Sequence, residues 1–471
     1  MGGKSIINEL PNILKNGKIE VEKILNEDHN IETEAIVVPS RERDGLFKGE
    51  ISQYKEREIT NRFIYGDNLY TMKSVLKGEG CSSMKGKIDL IYIDPPFLSK
   101  ANYNSKIRLP LNGKTVTVEK FAYSDFWEEG VVSYLKMLYP RLLLMKELLS
   151  DKGSIYVHLD WHIVHYVKII MDEVFGKDMF LNEIIWNYKS GGVSKKYFAR
   201  KHDTILLYSK TKNYIFNSQK EKSYNRGLKP YRFKGVEEFV DDIGWYTLVN
   251  MKDVWNIDMV GRTSKERVGY ATQKPEKLLE RIILSSTDEN SIVADFFAGS
   301  GTTGVVAERL NRRWILSDIG TNSALTVEKR LIDMEGEQFL LQRLKGYDLV
   351  HNGELSIGEI HKKSLEDEKE LISFSLEGYK IDINNTPIEE KYRKIVKNVL
   401  KENSLNLIDY ISIDPDYNGE IFISRWQDFR EENIYEINRF IELKVSKKDR
   451  RNIAIKVVDV FGFESKYILE I

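Results

Sequence analysis

Cysteine is almost absent from this sequence, since Cys81 is the only one in 471 residues. A single thiol excludes an internal disulfide framework and a cysteine-rich zinc site, and it fits a reducing cytoplasm. No run of eighteen apolar residues occurs, and the N-terminus lacks the apolar stretch of a signal peptide. We therefore expect a cytoplasmic protein with no membrane partner, and the chain length suggests two or three domains.

Histidine is also scarce, with seven residues in the chain. His158, His162 and His165 lie close together in sequence, but neither a cysteine cluster nor a suitably spaced acid accompanies them. We assign them to packing and strand ends and expect no metal site.

A large net charge is lacking too, because 71 basic residues face 72 acidic ones. Between positions 189 and 234, however, thirteen Lys and Arg residues outnumber two acids and give a net charge of +11, with eight aromatic residues interleaved. Such a stretch is typical of a surface that neutralises phosphates and stacks on bases. A solvated charged face is the alternative.

Short apolar stretches alternate with amphipathic helical segments from Arg62 onward, a pattern that predicts an α/β sheet of mostly parallel strands. The strands predicted first are FIY at 63–65, IDLIYI at 88–93, SIYVHL at 154–159 and TILLYS at 204–209. The same alternation resumes after about residue 270. The sheet is therefore expected to be assembled from both sides of an insertion.

A motif of Asp94, Pro95, Pro96 and Phe97 ends the predicted strand at 88–93. The Asp94 side chain and the Pro95 carbonyl can accept both hydrogens of an exocyclic amine, which favours a pyramidal nitrogen with its lone pair directed at an electrophile. The prolines fix the backbone so that both acceptors converge, and Phe97 can stack on the ring. The motif predicts a grip on a planar base, the alternative being a turn that merely ends a strand.

A glycine-rich loop follows a later predicted strand and contains Asp295, Phe297, Ala298, Gly299, Ser300, Gly301, Thr302 and Thr303. Its glycines let a ligand approach backbone N–H groups at a helix start. Asp318 lies 23 residues after Asp295, where a carboxylate can accept hydrogen bonds from ribose hydroxyls. The loop departs from the three-glycine spacing of nicotinamide dinucleotide sites, and S-adenosylmethionine fits it better.

The two motifs can serve one reaction only if their strands are neighbours. Ligands of doubly wound sheets collect at the carboxyl ends of strands, at the topological switch point. If the strands that end at Asp94 and Asp295 meet there, a methyl donor and a base share one crevice. An amine inside a duplex is reached only when its nucleotide is flipped out, which gives the basic segment a purpose.

In their order along the chain, these motifs resemble the β arrangement of amino-group DNA methyltransferases, and the resemblance covers roughly residues 60–330. It implies a Rossmann-like S-adenosylmethionine-dependent methyltransferase fold of α/β class with permuted motif order, an inserted target-recognition module and a C-terminal strand-rich domain. An Asp-headed motif is typical of adenine-N6 enzymes, so the implied activity is site-specific methylation of a flipped-out adenine in double-stranded DNA, in a restriction-modification or related defence system. Phe97 departs from the commoner Tyr.

The resemblance also implies site residues. Gln273, Lys274 and Pro275 match the segment before the cofactor loop, with Lys274 and Thr302 or Thr303 near the methionine carboxylate. Asp67 and Asn68 match the segment near the adenosyl part. Within the basic segment, the predicted DNA-binding residues are Lys189, Lys195, Lys196, Tyr197, Arg200 and Lys201.

Five segments are predicted: an N-terminal helical or connector segment at 1–60, the catalytic half at 61–188, the target-recognition insertion at 189–270, the cofactor-binding half at 271–335 and a C-terminal accessory domain at 345–471. The chain is similar to modification subunits of type III restriction systems, which implies a restriction or helicase subunit as a partner, and we expect a homodimer. Three alternatives stay open: N4-cytosine methylation, a specificity and assembly subunit that docks a nuclease–helicase partner, and methylation of RNA or a protein glutamine.

Overall fold

The structure is a computed structural model that describes residues 5–40, 46–47, 60–99, 102–189, 192–270, 272–347, 352–431 and 435–471. Its helices are α1 Ile6–Ile24, α2 Asn68–Lys77, α3 Val131–Leu148, α4 Val164–Phe175, α5 Glu276–Ser286, α6 Thr302–Arg309, α7 Thr321–Asp333 and α8 Glu390–Asn403. Among these residues, none of the helices combines the length and the apolar character needed to cross a membrane.

The strands, in chain order, are β1 Ile31–Val37, β2 Leu46–Phe47, β3 Arg62–Tyr65, β4 Ile88–Ile93, β5 Asn102–Leu111, β6 Lys114–Ser124, β7 Leu149–Leu159, β8 Phe180–Asn187, β9 His202–Ser209, β10 Lys220–Tyr224, β11 Phe239–Val240, β12 Trp245–Asn250, β13 Val254–Asn256, β14 Ile292–Asp295, β15 Arg313–Asp318, β16 Phe339–Leu344, β17 Gly353–Ile357, β18 His361–Ser364, β19 Lys369–Ile381, β20 Ile408–Asp414, β21 Phe422–Ser424, β22 Trp426–Phe429, β23 Phe440–Ser446, β24 Asn452–Asp459 and β25 Glu464–Glu470.

Eleven of these strands form the central sheet, in the order β13-β8-β9-β7-β4-β14-β15-β3-β16-β1-β21. Its middle six, from β7 to β16, are parallel, whereas β9 and β1 run antiparallel to them. The parallel strands are apolar along nearly their whole length because helices cover both faces of the sheet. The predicted α/β fold is confirmed.

The topological switch point lies between β4 and β14. Leu90 pairs with Val293 and Ile91 with Ala294 across it. The strand that follows β4 within this parallel core is β7, on one side, whereas the strand that follows β14 is β15, on the other. The crossover connections thus diverge at this point and leave a crevice at the carboxyl ends of both strands. The adjacency that the two sequence motifs require is present.

Two predicted segments contribute to the central sheet in ways that the sequence patterns did not indicate. The N-terminal segment contains α1 as expected, but its residues 31–37 form β1, a sheet strand rather than a helix or connector. Within the segment 189–270, β9 is the strand predicted at 204–209, but β13 also joins the central sheet, while β10, β12 and β11 form a separate three-stranded sheet. Residues 41–45 and 48–59 of the N-terminal segment lie outside the described residues, and the domain boundaries remain a prediction.

The C-terminal region is rich in strands, which form two further sheets around α8. Strands β24 and β25 form a hairpin, with Gly462 at its turn in a positive-φ conformation. The unexpected member of this core is the β5–β6 hairpin, which follows the catalytic motif in sequence. Its residues Ile107, Leu109 and Val118 are buried among C-terminal side chains, so the hairpin joins the catalytic half to the C-terminal core.

We expect Leu109→Ala to destabilise this shared core. Leu109 has no exposed surface, and removing such a side chain leaves a cavity that costs about 2–5 kcal/mol. Hydrogen exchange monitored by mass spectrometry should show reduced protection both in the hairpin and in α8, together with a lower urea midpoint. Lys106→Ala, on the exposed side of the same strand, is the control. Equal effects of the two substitutions would contradict a shared core.

Candidate active site

Asp94 lies at the bottom of the crevice, directly after β4. The β4–β7 register pairs Ile93 with Val157, so Asp94 lies beside His158. One carboxylate oxygen of Asp94, Oδ2, accepts a hydrogen bond from Lys274 Nζ. The other, Oδ1, is buried and has no hydrogen-bond partner among the described residues. A buried acceptor without a partner is costly, so this atom is positioned to receive a donor from a ligand.

Lys274 connects the two sequence motifs. Its ammonium group bonds Asp94 and lies 5.1 Å from the centroid of the Phe97 ring. Its backbone carbonyl accepts a hydrogen bond from the Thr302 hydroxyl at 3.3 Å, at the start of α6. The structure thus places Lys274 on the catalytic carboxylate, whereas its predicted role near a methionine carboxylate stays a prediction.

Phe97 is half-buried and packs against His158, with ring centroids 5.8 Å apart. His158 Nε2 lies 3.2 Å from Asp203 Oδ2, and since a carboxylate only accepts, this nitrogen carries the proton. In a neutral ring Nδ1 then accepts the Tyr92 hydroxyl at 2.8 Å. These bonds orient the His158 ring, which supports one side of Phe97.

Asp203 completes this network from β9. Burial alone would raise the pKa of Asp203, but the hydrogen bonds from His158 and Tyr188 and the nearby charge of Lys274 act in the opposite direction, and the pKa lies below its ordinary value. Tyr188 also donates to Asp203, at 3.2 Å, and the same carboxylate raises the pKa of Tyr188 further beyond the increase that burial causes. Strand β9 therefore contributes to the catalytic crevice as well as to the sheet.

The backbone after the catalytic motif is constrained by Asp125. Leu98 has a φ of 61°, which is unfavourable for a residue with a Cβ atom. Its N–H and that of Ser99 donate to the two carboxylate oxygens of Asp125 at 3.2 and 2.7 Å. Trp127 Nε1 donates to the same carboxylate at 2.9 Å. Asp125 directly follows β6, at the end of the hairpin opposite its turn. Its hydrogen bonds connect this end of the hairpin to the catalytic loop.

Asp295 supports the glycine-rich loop from the end of β14. Its carboxylate accepts the Phe297 N–H at 2.9 Å and the Thr303 hydroxyl at 2.6 Å. Burial raises the pKa of Asp295 to about 7, although both hydrogen bonds act in the opposite direction. The side chains of Asp295 and Thr303 thus form hydrogen bonds within the loop itself. Their predicted contact with a cofactor stays a prediction.

The glycines of this loop occupy positions that other residues cannot readily adopt. Gly301 has a φ of +72°, and a Cβ atom there would lie 2.5 Å from Val327 Cγ2. Gly299 has a φ of +52°, and its N–H donates to Asp318 Oδ2 at 2.7 Å. The loop therefore turns tightly against α7. Ala298 and Ser300 belong to the same turn, on either side of Gly299.

Three strand ends meet around this loop. Asp318 ends β15, and its carboxylate accepts the N–H groups of Gly299 and Gly320, each at 2.7 Å. Asn68, just after β3, donates to the Phe296 carbonyl at 2.7 Å. Arg141 binds the side chains of both Asn68 and Asp67. The residues predicted to contact a nucleoside are thus brought to one edge of the sheet.

The segment before α5 is held by its own side chains. Gln273 accepts the Val268 N–H at 2.9 Å and donates to the Glu266 carbonyl. Pro275 lies at the N-terminal cap of α5. Gln273 therefore positions the chain that carries Lys274, and its predicted contact with a cofactor stays a prediction.

The residues around the crevice fit S-adenosylmethionine. Gly299 and Gly301 turn the chain at the α6 N-terminus in positive-φ conformations, a Cβ atom at Gly301 would lie 2.5 Å from Val327 Cγ2, and the Asp318 carboxylate lies at the neighbouring strand end. Asp94 Oδ1, the buried acceptor without a partner, lies at the end of the adjacent strand. Gly299, Asp318, Asp67 and Asn68 would hold the donor molecule.

The predicted DNA-binding residues lie in and beside the loop between β8 and β9. Tyr197 is 60% exposed. Arg200 packs its guanidinium between the rings of Trp161 and Tyr197, at 3.5 and 4.8 Å from their centroids. Lys189, Lys195, Lys196 and Lys201 surround them, with Lys201 Nζ 3.4 Å from the Lys189 carbonyl. The structure places all six on one loop, and contact with DNA stays a prediction.

Several residues of the site were missed in the sequence. His158 was assigned to packing, and it is fully buried, but its bonds to Tyr92 and Asp203 were not foreseen. Asp125 and Arg141 carry no local signal because each acts on a backbone or side chain distant in sequence. In the part of the chain that the structure describes, no group of three His, Cys, Asp or Glu side chains is arranged to hold a metal ion.

Residues 88–329, just over half of the chain, match the family model N6_N4_Mtase, described as DNA methylase. A curated relative, the type II methyltransferase M2.DpnII of Streptococcus pneumoniae, is 32% identical over 54% of this chain and 87% of its own length. The DNA adenine methyltransferase YhdJ of Escherichia coli K12 is 27% identical over 53% of this chain and 79% of its own. The Mod subunit of the type III enzyme StyLTI of Salmonella typhimurium is 24% identical over 59% and 53%.

The raised pKa of Asp295 predicts a pH dependence of stability. Between its ordinary value of 3.8 and about 7, the folded protein binds more protons at this group than the unfolded chain does. The contribution of Asp295 to the free energy of unfolding is therefore greatest below pH 3.8. It decreases as the pH rises to about 7, by up to about 1.4 kcal/mol per pH unit. Asp295→Asn, which keeps an acceptor for Phe297, should remove this part of the slope in urea unfolding between pH 5 and 8.

Asp151→Asn is the control for that experiment, because the Asp151 side chain is 86% exposed at the other end of β7. It should leave the pH slope as in the parent. A parent slope that Asp295→Asn does not change would show that Asp295 titrates as an ordinary carboxylate.

Proposed function

This chain belongs to the DNA methylase family, and on that premise we propose that it methylates the N6 amine of an adenine flipped out of double-stranded DNA. The methyl donor of the family is S-adenosylmethionine. One observation carries the proposal: a buried Asp94 oxygen without a protein partner among the described residues, at the end of the strand next to the glycine-rich loop.

The chemistry needs a nucleophilic amine facing an electrophile. When bound, S-adenosylmethionine supplies a methyl group activated by its sulfonium charge. Asp94 Oδ1 accepts one amine hydrogen and is the acceptor placed to take the proton that the amine loses. Lys274 holds the other oxygen of Asp94, so the carboxylate keeps one orientation. Phe97, supported by His158, provides a stacking surface for the base.

Adenine is favoured over cytosine as the target. Asp heads the catalytic motif, as is typical of the adenine enzymes that the chain resembles, and the relative YhdJ is named as a DNA adenine methyltransferase. N4-cytosine methylation remains the alternative within this family. Single-molecule sequencing of DNA from cells that express the chain distinguishes them, because it identifies the modified base, its motif and its strand.

We further propose that the chain forms a homodimer and acts with a partner subunit. The likeness to the StyLTI Mod subunit supports a restriction partner, and docking by the C-terminal region is the second candidate function. Deleting residues 345–471 would not separate the two functions, because it would expose the β5–β6 hairpin and remove β21 from the central sheet. Point substitutions that leave this packing intact are therefore required.

We expect Asp94→Ala to abolish methyl transfer and to preserve S-adenosylmethionine binding. The substitution removes the amine acceptor, and catalytic groups of this kind typically contribute about 10²–10⁴-fold in rate. Turnover is measured with radiolabelled donor and plasmid DNA, and binding by calorimetry. Asp151→Ala, an exposed carboxylate distant from the crevice, should match the parent. Unchanged turnover of Asp94→Ala would refute the proposed mechanism.

Replacing Lys195 and Lys196 with Gln should weaken DNA binding and reduce its salt dependence. Each phosphate that the protein no longer neutralises makes the slope of log affinity against log salt shallower by about 0.9, so two phosphates correspond to about 1.8. Fluorescence anisotropy measures this slope at salt concentrations between about 50 and 300 mM, a range that includes physiological ionic strength. The matched control replaces Lys362 and Lys363, two exposed lysines of β18. A parent that binds DNA without salt dependence would count against phosphate binding by this loop.

A further inference from the structure

Phe198 is the most exposed large apolar side chain of the described residues, at 98% of its maximal surface. We propose that Phe198 is the wedge that enters the duplex and fills the gap left by the flipped-out adenine. The inference rests on the proposed function. A single exposed apolar residue needs no explanation by itself, so the argument depends on where Phe198 lies and what surrounds it.

The strand register places Phe198 at the catalytic edge of the sheet. Leu159 at the end of β7 pairs with Thr204, and Asn187 at the end of β8 pairs with His202. The loop between β8 and β9 therefore emerges at the carboxyl end of β7, beside the carboxyl end of β4. Asp94 and Phe97 follow β4 at this same edge, and Phe97 contacts His158 of β7.

The loop has ordered contacts on both sides of Phe198, while Phe198 itself projects outward. On one side, the Ser194 hydroxyl accepts the N–H groups of Lys196 and Tyr197 at 3.2 and 3.3 Å, which forms a turn within the loop. On the other, Arg200 packs on Trp161 at 3.5 Å, and Trp161 packs on His162 at 3.6 Å. A fixed base and an exposed aromatic tip are what insertion between bases requires, because less conformational entropy is lost on binding.

The charge around the tip suits a duplex. Lys195, Lys196, Arg200 and Lys201 lie within three residues of Phe198 and provide cations for phosphates on either side of the insertion point. The tip itself carries no charge, and an aromatic ring replaces the stacking that the displaced base gave up. Apolar wedges flanked by phosphate-binding cations are the arrangement that proteins use to unstack base steps.

Phe126 is the rival for this role. It is 61% exposed and follows Asp125, which holds the catalytic loop. Its neighbour in sequence is Trp127 rather than a cluster of basic residues. Charge complementarity therefore favours Phe198.

The test compares single-turnover methylation of two duplexes that carry the recognition sequence identified by sequencing. In one the target adenine is paired with thymine, and in the other it faces an abasic site and is already unpaired. We expect Phe198→Ala to slow methylation of the paired target by about tenfold or more, the order implied by removing one base–aromatic stack, and to affect the unpaired target much less. With 2-aminopurine at the target position, the fluorescence increase that accompanies base flipping should be smaller for the variant than for the parent.

Val193→Ala is the matched control, because Val193 is 93% exposed on the same loop and should behave as the parent on both duplexes. The inference is overturned if Phe198→Ala matches the parent, if it slows both duplexes equally, or if Phe126→Ala shows the pairing-dependent defect instead. A parent that transfers no methyl group to either duplex would overturn the proposed function, and this inference with it.

Discussion

The pairing of β4 with β14 brings the catalytic carboxylate and the glycine-rich loop to one crevice. Asp94 and Asp295 end these two neighbouring strands although 200 residues separate them in the chain. Because the crossovers diverge here, neither a helix nor a loop has to cover the strand ends. The contact of Lys274 with Asp94, which joins the two motifs, depends on this adjacency.

The two carboxylates of the crevice, Asp94 and Asp295, are accommodated in different ways, by an ion pair and by hydrogen bonds. Lys274 compensates Asp94, whereas Asp295 is buried, accepts two hydrogen bonds and has a pKa raised to about 7. The two carboxylates therefore differ in role. Asp94 keeps a buried oxygen without a partner among the described residues, while Asp295 stabilises the loop that contains Gly299 and Gly301.

The β5–β6 hairpin gives the C-terminal region a structural link to the active site. Its apolar side chains lie in the C-terminal core, and its end carries Asp125, which holds the backbone of Leu98 and Ser99. The hairpin thus connects the C-terminal core to the residues next to Phe97. The β1–β21 pairing adds a second connection, so the C-terminal region is not an independent appendage of the central sheet.

Local pattern in the sequence was sufficient for the α/β class, the two motifs and the basic segment, because apolar periodicity, prolines and glycines act within a few residues of themselves. It also predicted Asp94, Phe97, Gly299 and Gly301 as site residues, and the fold brings the two motifs that contain them to neighbouring strand ends. The tertiary structure alone decided that β1 and β13 join the central sheet, that Lys274 lies on Asp94, and that His158 and Asp125 support the catalytic loop. These interactions join residues far apart in the chain, and their partners are set by strand order and packing, which no local pattern encodes.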